Sequence, residues 1–413
     1  MAVLDDAGAM ADELTELRHA LHREPEIGYD LPRTQRKVLD ALAGLPLEIS
    51  VGEKLTSVTA VLRGGQPGPV VLLRGDMDAL PVTEATGEPF ASRTDGVMHA
   101  CGHDLHTTML AGAARLLSAR QPQLPGSVIF MFQPAEEGGA GARFMIEEGV
   151  LDAAGERPAA AYALHVLSGT HDRGVFATRP GPALAASDAI NVTVRGRGGH
   201  ASRPHSSADP IPAACEMVTA LQAMVTRRFD VFDPVVVTVG SIHAGTARNV
   251  IPDEATFAAT ARSFSPQAKA RLRDETLRLV RNIADGYGLT VEAEYVDGYP
   301  VTVNDADQAA FAKATAADMF GADRAITSAH PATGSEDFSF VLEQVPGAFV
   351  FLGACPAGTD PGTAPTNHSP LAAFDDAVLA DGAALYAELA IRRLTALSSP
   401  ASSSGSSPDP AHD

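Results

Sequence analysis

The run Val70-Val-Leu-Leu-Arg74 constrains this chain most. An apolar stretch without alternation reads as a strand covered on both faces, which is the habit of parallel sheets packed between helices. It leads into Asp76-Met-Asp-Ala-Leu-Pro81 and then Met98-His-Ala-Cys-Gly-His-Asp-Leu-His106, ahead of a helix expected over 107–119. Acids at the end of a buried strand, followed by cysteine and histidine at a helix start, point to a metal site at the edge of an α/β sheet.

With 413 residues the chain has room for two domains. Apolar spacing places helices over 11–23 and 31–42 and strands over 56–62, 127–132 and 161–166. The pattern changes near Gly181. From there it reads strand 189–194, helix 211–228, strands 235–239 and 255–261, helix 267–284 and strand 290–295. That order is βαββαβ, a compact ferredoxin-like sandwich. Helix 211–228 carries Ile211, Ala214, Cys215, Val218, Leu221 and Val225 as one apolar stripe. After Tyr299-Pro300 the earlier style returns, with a helix over 307–319, a buried strand over 347–352 and a closing helix over 373–394. The expected fold class is α/β: a catalytic domain with a mixed, mostly parallel sheet flanked by helices, over 1–182 and 297–396. The inserted domain spans 183–296, and the Ser/Pro/Gly/Asp-rich stretch 397–413 reads as a disordered tail.

A net charge of −20 argues against nucleic acid or an anionic membrane as partner, since both call for a basic surface. No basic segment followed by an apolar run opens the chain, so no leader peptide is expected. Cys101, Cys215 and Cys355 are too scattered for a disulfide framework, and a reducing cytoplasmic setting is the simplest expectation. Cys215 and Cys355 read as small core residues.

Cys101 and His103 form a Cys-x-His turn that can aim both side chains at one ion, though a buried cysteine beside a helix start explains it equally well. Asp104 reads as a cap and His106 as packing. Glu136 and Glu137 follow a strand end and precede two glycines, so one can bind metal while the other moves a proton; a solvated acidic loop is the plainer alternative. His165 ends a short apolar strand, where a lone histidine is more often a satisfied core group, and His368 sits on a polar loop with no packing reason to be there. Asp76 and Asp78 flank Met77 and could be ligands themselves, but read better as partners that orient metal ligands. In the inserted segment, His200 follows a glycine-rich turn that fits neither nucleotide fingerprint, while Asn249 and Arg262 could hold a carboxylate. No Gly-x-Ser-x-Gly elbow supports a serine hydrolase.

Together these motifs resemble the amidohydrolase branch of the metallopeptidase family that contains aminoacylases, hippurate hydrolases and auxin-conjugate hydrolases. The resemblance runs from Leu21-His22 with Pro25-Glu26, through the two stretches above, to Gln133-Pro-Ala-Glu-Glu-Gly138 and Leu164-His165. It continues in Gly199-His-Ala-Ser202, Asn249-Val-Ile-Pro252, Ser335-Glu-Asp-Phe338 and Asn367-His-Ser-Pro370. It implies a two-metal centre held by Cys101, His103, Glu137, His165 and His368, with Cys101 shared between the ions. It implies Glu136 as general base and Asp78 as the acid that orients a ligand. Other branches carry histidine where Asp76 stands, so Asp76 is not expected to be a ligand. By the same resemblance the inserted domain is a lid or dimerisation domain, His200 polarises the scissile carbonyl, often across a dimer interface, and Asn249 and Arg262 bind the substrate carboxylate.

The resulting expectation is a metal-dependent hydrolase, using two divalent ions (manganese, zinc, cobalt or nickel), that cleaves the amide of a small N-acyl amino acid through a metal-activated water. A homodimer is expected, without nucleic acid or membrane partners. A metallo-carboxypeptidase or dipeptidase is the alternative, and a non-catalytic metal-stabilised binding protein a remote one.

Overall fold

The computed structural model describes residues 2–399; the tail expectation lies, from residue 400 on, outside the described residues. The chain forms two compact units. The first runs through Pro134, resumes over Glu147–Gly174 and returns from Gly353; the second comprises Ala135–Ile146 and Val175–Leu352.

The first unit holds strands β1 (Leu47–Val51), β2 (Val58–Arg63), β3 (Gln66–Asp76), β4 (Pro125–Gln133) and β5 (Ala160–Leu167), in the order β1-β2-β4-β3-β5. β3 lies parallel to both β4 and β5, while β1, β2 and β4 pair antiparallel, so this sheet is mixed with a parallel centre. The apolar run in β3 is buried as expected: Val71, Leu72, Leu73 and Arg74 are all at 0% exposure. Helices α1 (Ala2–Ala9), α2 (Ala11–Arg23), α3 (Pro32–Ala41) and α4 (His103–Ser118) belong to this unit, with the C-terminal helix Val378–Ser398. α4 packs against both β3 and the C-terminal helix, and nearly every residue in it is buried. It starts at His103, four residues before the expected 107, because Gly102 takes φ 82 as its N-cap. A Cβ on Gly102 would lie 2.3 Å from Val166 Cγ2, so only glycine fits between Cys101 and His103.

In the second unit, β6 (Phe176–Thr178), β7 (Gly181–Leu184), β8 (Ala186–Arg195), β9 (Gly199–His200), β10 (Val235–Ala244), β11 (Val250–Ile251), β12 (Glu254–Ser263) and β13 (Thr290–Tyr299) follow in order. β14 (Thr302–Asn304), β15 (Ala325–Thr327) and β16 (Gly347–Gly353) complete the strands. β6 pairs parallel to β15 and antiparallel to β16. A separate four-stranded antiparallel sheet, ordered β10-β12-β8-β13, packs on the helices Pro210–Arg228 and Gln267's helix Pro266–Gly286. This is the βαββαβ arrangement expected from the alternation. The buried stripe of the first of these helices is Ala213, Ala214, Met217, Leu221 and Met224. Cys215 is therefore exposed, against the expectation of a core cysteine, because the helix turns its Ala213/Met217 line rather than its Cys215 line to the sheet. Cys355 is buried, and all three cysteines are unpaired.

Among the described residues no helix is long and apolar enough to cross a membrane.

Candidate metal centre

In the first unit, ligand-type side chains collect at the C-terminal ends of β3 and β5 and at the start of α4. Cys101 Sγ lies 3.4 Å from His165 Nε2 and 3.3 Å from His368 Nε2. Cys101, His103 and His165 offer donor atoms within 4.8 Å of one another. A thiolate and an imidazole on one tetrahedral ion, at bond lengths of about 2.3 and 2.1 Å, stand roughly 3.6 Å apart, so this spacing suits a shared cation. Each ring is also oriented for the task. His165 Nδ1 donates to the Val166 carbonyl at 2.8 Å, which leaves Nε2 with its lone pair toward the thiol. His368 is held at φ 72, and its N–H donates to the Ala100 carbonyl at 2.8 Å. Asn367 ties the same loop down by donating to the carbonyls of Cys101 (3.2 Å) and Val166 (2.9 Å).

His103 has Asp76 Oδ2 at 3.5 Å from one ring nitrogen and Asp78 Oδ1 at 3.6 Å from the other. Burial opposes a charge on this ring, yet Asp76, Cys101 and Asp78 outweigh it and hold its pKa well above the usual histidine range. The surroundings are thus built for a positive charge at that point. Asp76 is engaged elsewhere as well: Arg74 Nη1 donates to its Oδ2 at 2.6 Å, and His106 Nδ1 to its Oδ1 at 2.6 Å. His106 Nε2 accepts the Val166 N–H at 2.7 Å, which makes it a neutral ring bridging the end of β3 to the end of β5. Burial, rather than any charge, dominates its lowered pKa. His106 therefore does more than pack. The signal in the sequence was its spacing of three from His103, on the same helix face.

Asp104 is not a cap. It sits inside the first turn of α4 with no side-chain cap bond at Gly102, and instead accepts from Arg18 Nε (2.8 Å) and His22 Nδ1 (2.8 Å). Arg18, His22 and Asp104 are 1–2% exposed, so the helix start that carries His103 is anchored by a buried ion network from α2. Burial lowers the pKa of His22, but the charge and hydrogen bond of Asp104, with Glu84 beside it, raise it to about 8. The proton on His22 thus stabilises the fold fully below about pH 6.5, and that contribution, about 2 kcal/mol, is lost as pH rises through about 8. Asp104 acts in the opposite sense: Arg18 and His22 overcome its burial and hold its carboxyl far below the usual range, so its contribution is present at neutral pH and is lost only in acid. Histidine NMR should find His22 titrating near 8, with the melting temperature falling over pH 7–9; a His22 that titrates below 6.5 would contradict this network.

Glu136 and Glu137 stand three and four residues past the end of β4 at Gln133, in a loop of the second unit. The loop is contorted: Ala135 (φ 59), Gly138 (φ 80) and Ala140 (φ 55) all adopt left-handed backbone, and the two alanines pay about 1–2 kcal/mol each for it. Glu136 is 7% exposed, and its carboxylate gathers with those of Glu336 and Asp337 within 4.8 Å. Phe338 N–H donates to Glu336 Oε1 and Ala142 N–H to Asp337 Oδ2, both at 2.9 Å. In the sequence, the Ser335-Glu-Asp-Phe338 motif is the one signal for Glu336 and Asp337, and it assigns them no role.

The three substrate candidates are not brought together. His200 and Asn249 are neighbours, exposed, in the β9–β11 pair, where Ala201 N–H donates to the Asn249 carbonyl at 3.1 Å. His200 Nδ1 accepts the Ser202 N–H at 3.1 Å, so Nε2 carries the proton and is free to be a donor. Arg262 lies in the other, four-stranded sheet, where it pairs with Ser187 eight residues along β12 from Glu254, the residue at which β12 begins after β11. The stretch of β12 from Glu254 to Arg262 is about 26 Å long at roughly 3.3 Å per residue. Arg262 Nη1 is buried without a hydrogen-bond partner, the condition a carboxylate would relieve.

The model of peptidase family M20/M25/M40 matches residues 72–392. The chain belongs to this family. Over 392 residues it is 37% identical to a thermostable carboxypeptidase 2 of Saccharolobus solfataricus, covering 94% of this chain and 97% of that one. It is 36% identical over 389 residues to an N-acetylcysteine deacetylase of Bacillus subtilis, covering 93% and 97%. Among solved structures, the Bacillus subtilis YXEP protein, a dinuclear metal-binding peptidase of family M20, superposes with TM-score 0.80 at 33% identity, over 94% of this chain and 99% of that one. The M20 chain described here is accordingly a hydrolase of the metallopeptidase type, and the cysteine-centred cluster is where its fold concentrates metal-binding groups.

Proposed function

We propose that this M20 chain hydrolyses the amide bond of N-acyl amino acids, releasing a carboxylate and a free amino acid. The observation that carries the reading is Cys101 Sγ set between His165 Nε2 and His368 Nε2 at 3.4 and 3.3 Å. Cys101, His103, His165 and His368, with Glu137 completing the set by family resemblance, would hold two divalent ions that supply an activated water and a Lewis acid for the amide carbonyl. Asp78 orients His103. Glu136 accepts the proton of the attacking water and returns it to the leaving nitrogen. His200 Nε2–H donates to the carbonyl oxygen as negative charge grows there. Arg262 pairs with the substrate carboxylate, and Asn249 adds a contact beside His200.

One consequence concerns assembly. His200 lies in the two-stranded β9–β11 sheet, near the start of β12, and Arg262 near the far end of β12, a span too long for one small substrate to bridge within one copy. The reading therefore requires a homodimer in which the second copy provides His200 and Asn249. The unpaired cysteines agree with a reducing, cytoplasmic setting.

The preference for acylated substrates is supported by the similarity to an N-acetylcysteine deacetylase. The similarity to a carboxypeptidase favours a second reading, in which the same groups act on small peptides. Amino-acid release should be measured from acetyl, benzoyl and indole-acetyl amino acids and from simple dipeptides, with chelated protein and after adding manganese or zinc. Metal-restored release from the acylated set is expected. Release from dipeptides alone would replace this reading with the peptidase one.

A further inference from the structure

Tyr299 ends β13 and is 9% exposed. Its hydroxyl donates to the Glu136 carbonyl at 2.5 Å and accepts the Ala140 N–H at 3.0 Å. The same Glu136 carbonyl accepts the Gly138 N–H at 2.7 Å, and the Ala135 carbonyl accepts the Gly141 N–H at 3.0 Å. The hydroxyl thus sits inside a closed main-chain loop whose left-handed residues include two with side chains, Ala135 and Ala140. Such a conformation persists only where surrounding groups over-determine it.

The tyrosine is itself held from behind. Gly298 N–H donates to Asp188 Oδ1 at 3.0 Å, Lys269 Nζ reaches the same oxygen at 2.7 Å, and Tyr295 donates to Oδ2 at 2.9 Å. A Cβ on Gly298 would lie 1.9 Å from the Ser187 carbonyl oxygen, so the approach of β13 to β8 here needs glycine. The Tyr299 ring packs edge-on against Phe340 with centroids 6.1 Å apart. Burial first, then Asp337 and Glu136, push the phenol pKa far above its ordinary value, so the group stays a hydroxyl that can both donate and accept.

We propose that Tyr299 is a positioning residue: by holding the Glu136 carbonyl and the Ala140 N–H at once, its hydroxyl sets the direction in which the Glu136 and Glu137 side chains leave the loop. The peptide plane between these two glutamates is fixed through the carbonyl that the hydroxyl grips. This rests on the reading of Glu136 as base and Glu137 as metal ligand.

Tyr299→Phe keeps the ring and removes both bonds. In the chelated variant, amide exchange over 135–141 should accelerate at least about tenfold while the melting temperature changes little. Calorimetric titration with manganese should show affinity weakened about 10–100-fold, the range for losing a partner of a metal ligand. In the metal-loaded variant kcat should fall with KM nearly unchanged. Converting Ala135 and Ala140 to glycine in the Tyr299→Phe background should restore part of the affinity, because the strain that expels the loop is removed. A folded Tyr299→Phe chain with parental exchange and manganese affinity would overturn the proposal. So would an Ala140 amide that exchanges freely in the parent, a measurement that needs no variant. Glu136→Gln separates the two readings. If it turns over normally, the base assignment fails, while the exchange and affinity results still judge Tyr299.

Discussion

A Glu136→Gln chain should keep its fold and its metal content and lose about 10²–10⁴-fold in kcat, the range for removing a positioned general base. Glutamine has nearly the same shape and can keep a polar contact, but it cannot accept a proton from water. The loop that presents residue 136 is held through main-chain atoms, by the Tyr299 hydroxyl on the Glu136 carbonyl and the Gly141 N–H on the Ala135 carbonyl. The substitution therefore leaves the loop's anchors intact. Because Glu136, Glu336 and Asp337 crowd three carboxylates into one buried cluster, replacing one by a neutral amide also relieves like-charge repulsion, and the variant should melt no lower than the parent. KM should move little, since the base acts in the chemical step. A variant that retains more than a tenth of parental kcat, with full metal content, would remove Glu136 from the base role and favour another carboxylate of that cluster.

Cys101→Ala should be the other large effect. Its Sγ lies within 3.4 Å of both His165 Nε2 and His368 Nε2, so deleting it weakens both pairings at once. If the parent binds two ions as proposed, metal analysis of the dialysed variant should find less than one per chain, and turnover should drop at least about 10³-fold. The fold should survive. Cys101 is small, and its loop is fixed by its carbonyl, which accepts from Asn367, and by the Ala100 carbonyl, which accepts from His368 N–H. Full retention of two ions together with turnover would show that the thiol is a bystander. It would shift attention to the Asp76, His103 and His106 group as the ion-holding core.

Much of the architecture follows from local pattern. The apolar run at Val70–Leu73 could be satisfied only by burial on both faces, and alternation over 189–295 dictates four strands that each show one face to two helices. His368 stands out in the sequence because a polar loop gives it no packing purpose, whereas Cys101, His103, His165 and the Glu136–Glu137 pair each have an ordinary structural reading and become ligand candidates only as an ordered set of motifs. Where local pattern misleads, two solutions differ by a small rotation or shift. Helix 210–228 offers two apolar lines, and contact with the sheet picks the one that leaves Cys215 outside. α4 begins at His103 rather than 107 because Gly102, wedged against Val166, can take a left-handed φ.

Other features depend on groups far apart in the chain, and local spacing does not show which of those groups meet. Asp104 looks like a cap until Arg18 and His22, more than eighty residues earlier, arrive to claim its oxygens. His106 looks inert until Val166 and Asp76 fix its tautomer. Tyr299 gives no hint of function as the last residue of a strand, and only folding brings its hydroxyl to the Glu136 carbonyl. Residue type and periodicity determine the elements and name the chemically able side chains. Which of them a long-range hydrogen bond orients is decided by chain closure, because directional bonds between distant segments exist only once the packing that joins them is complete.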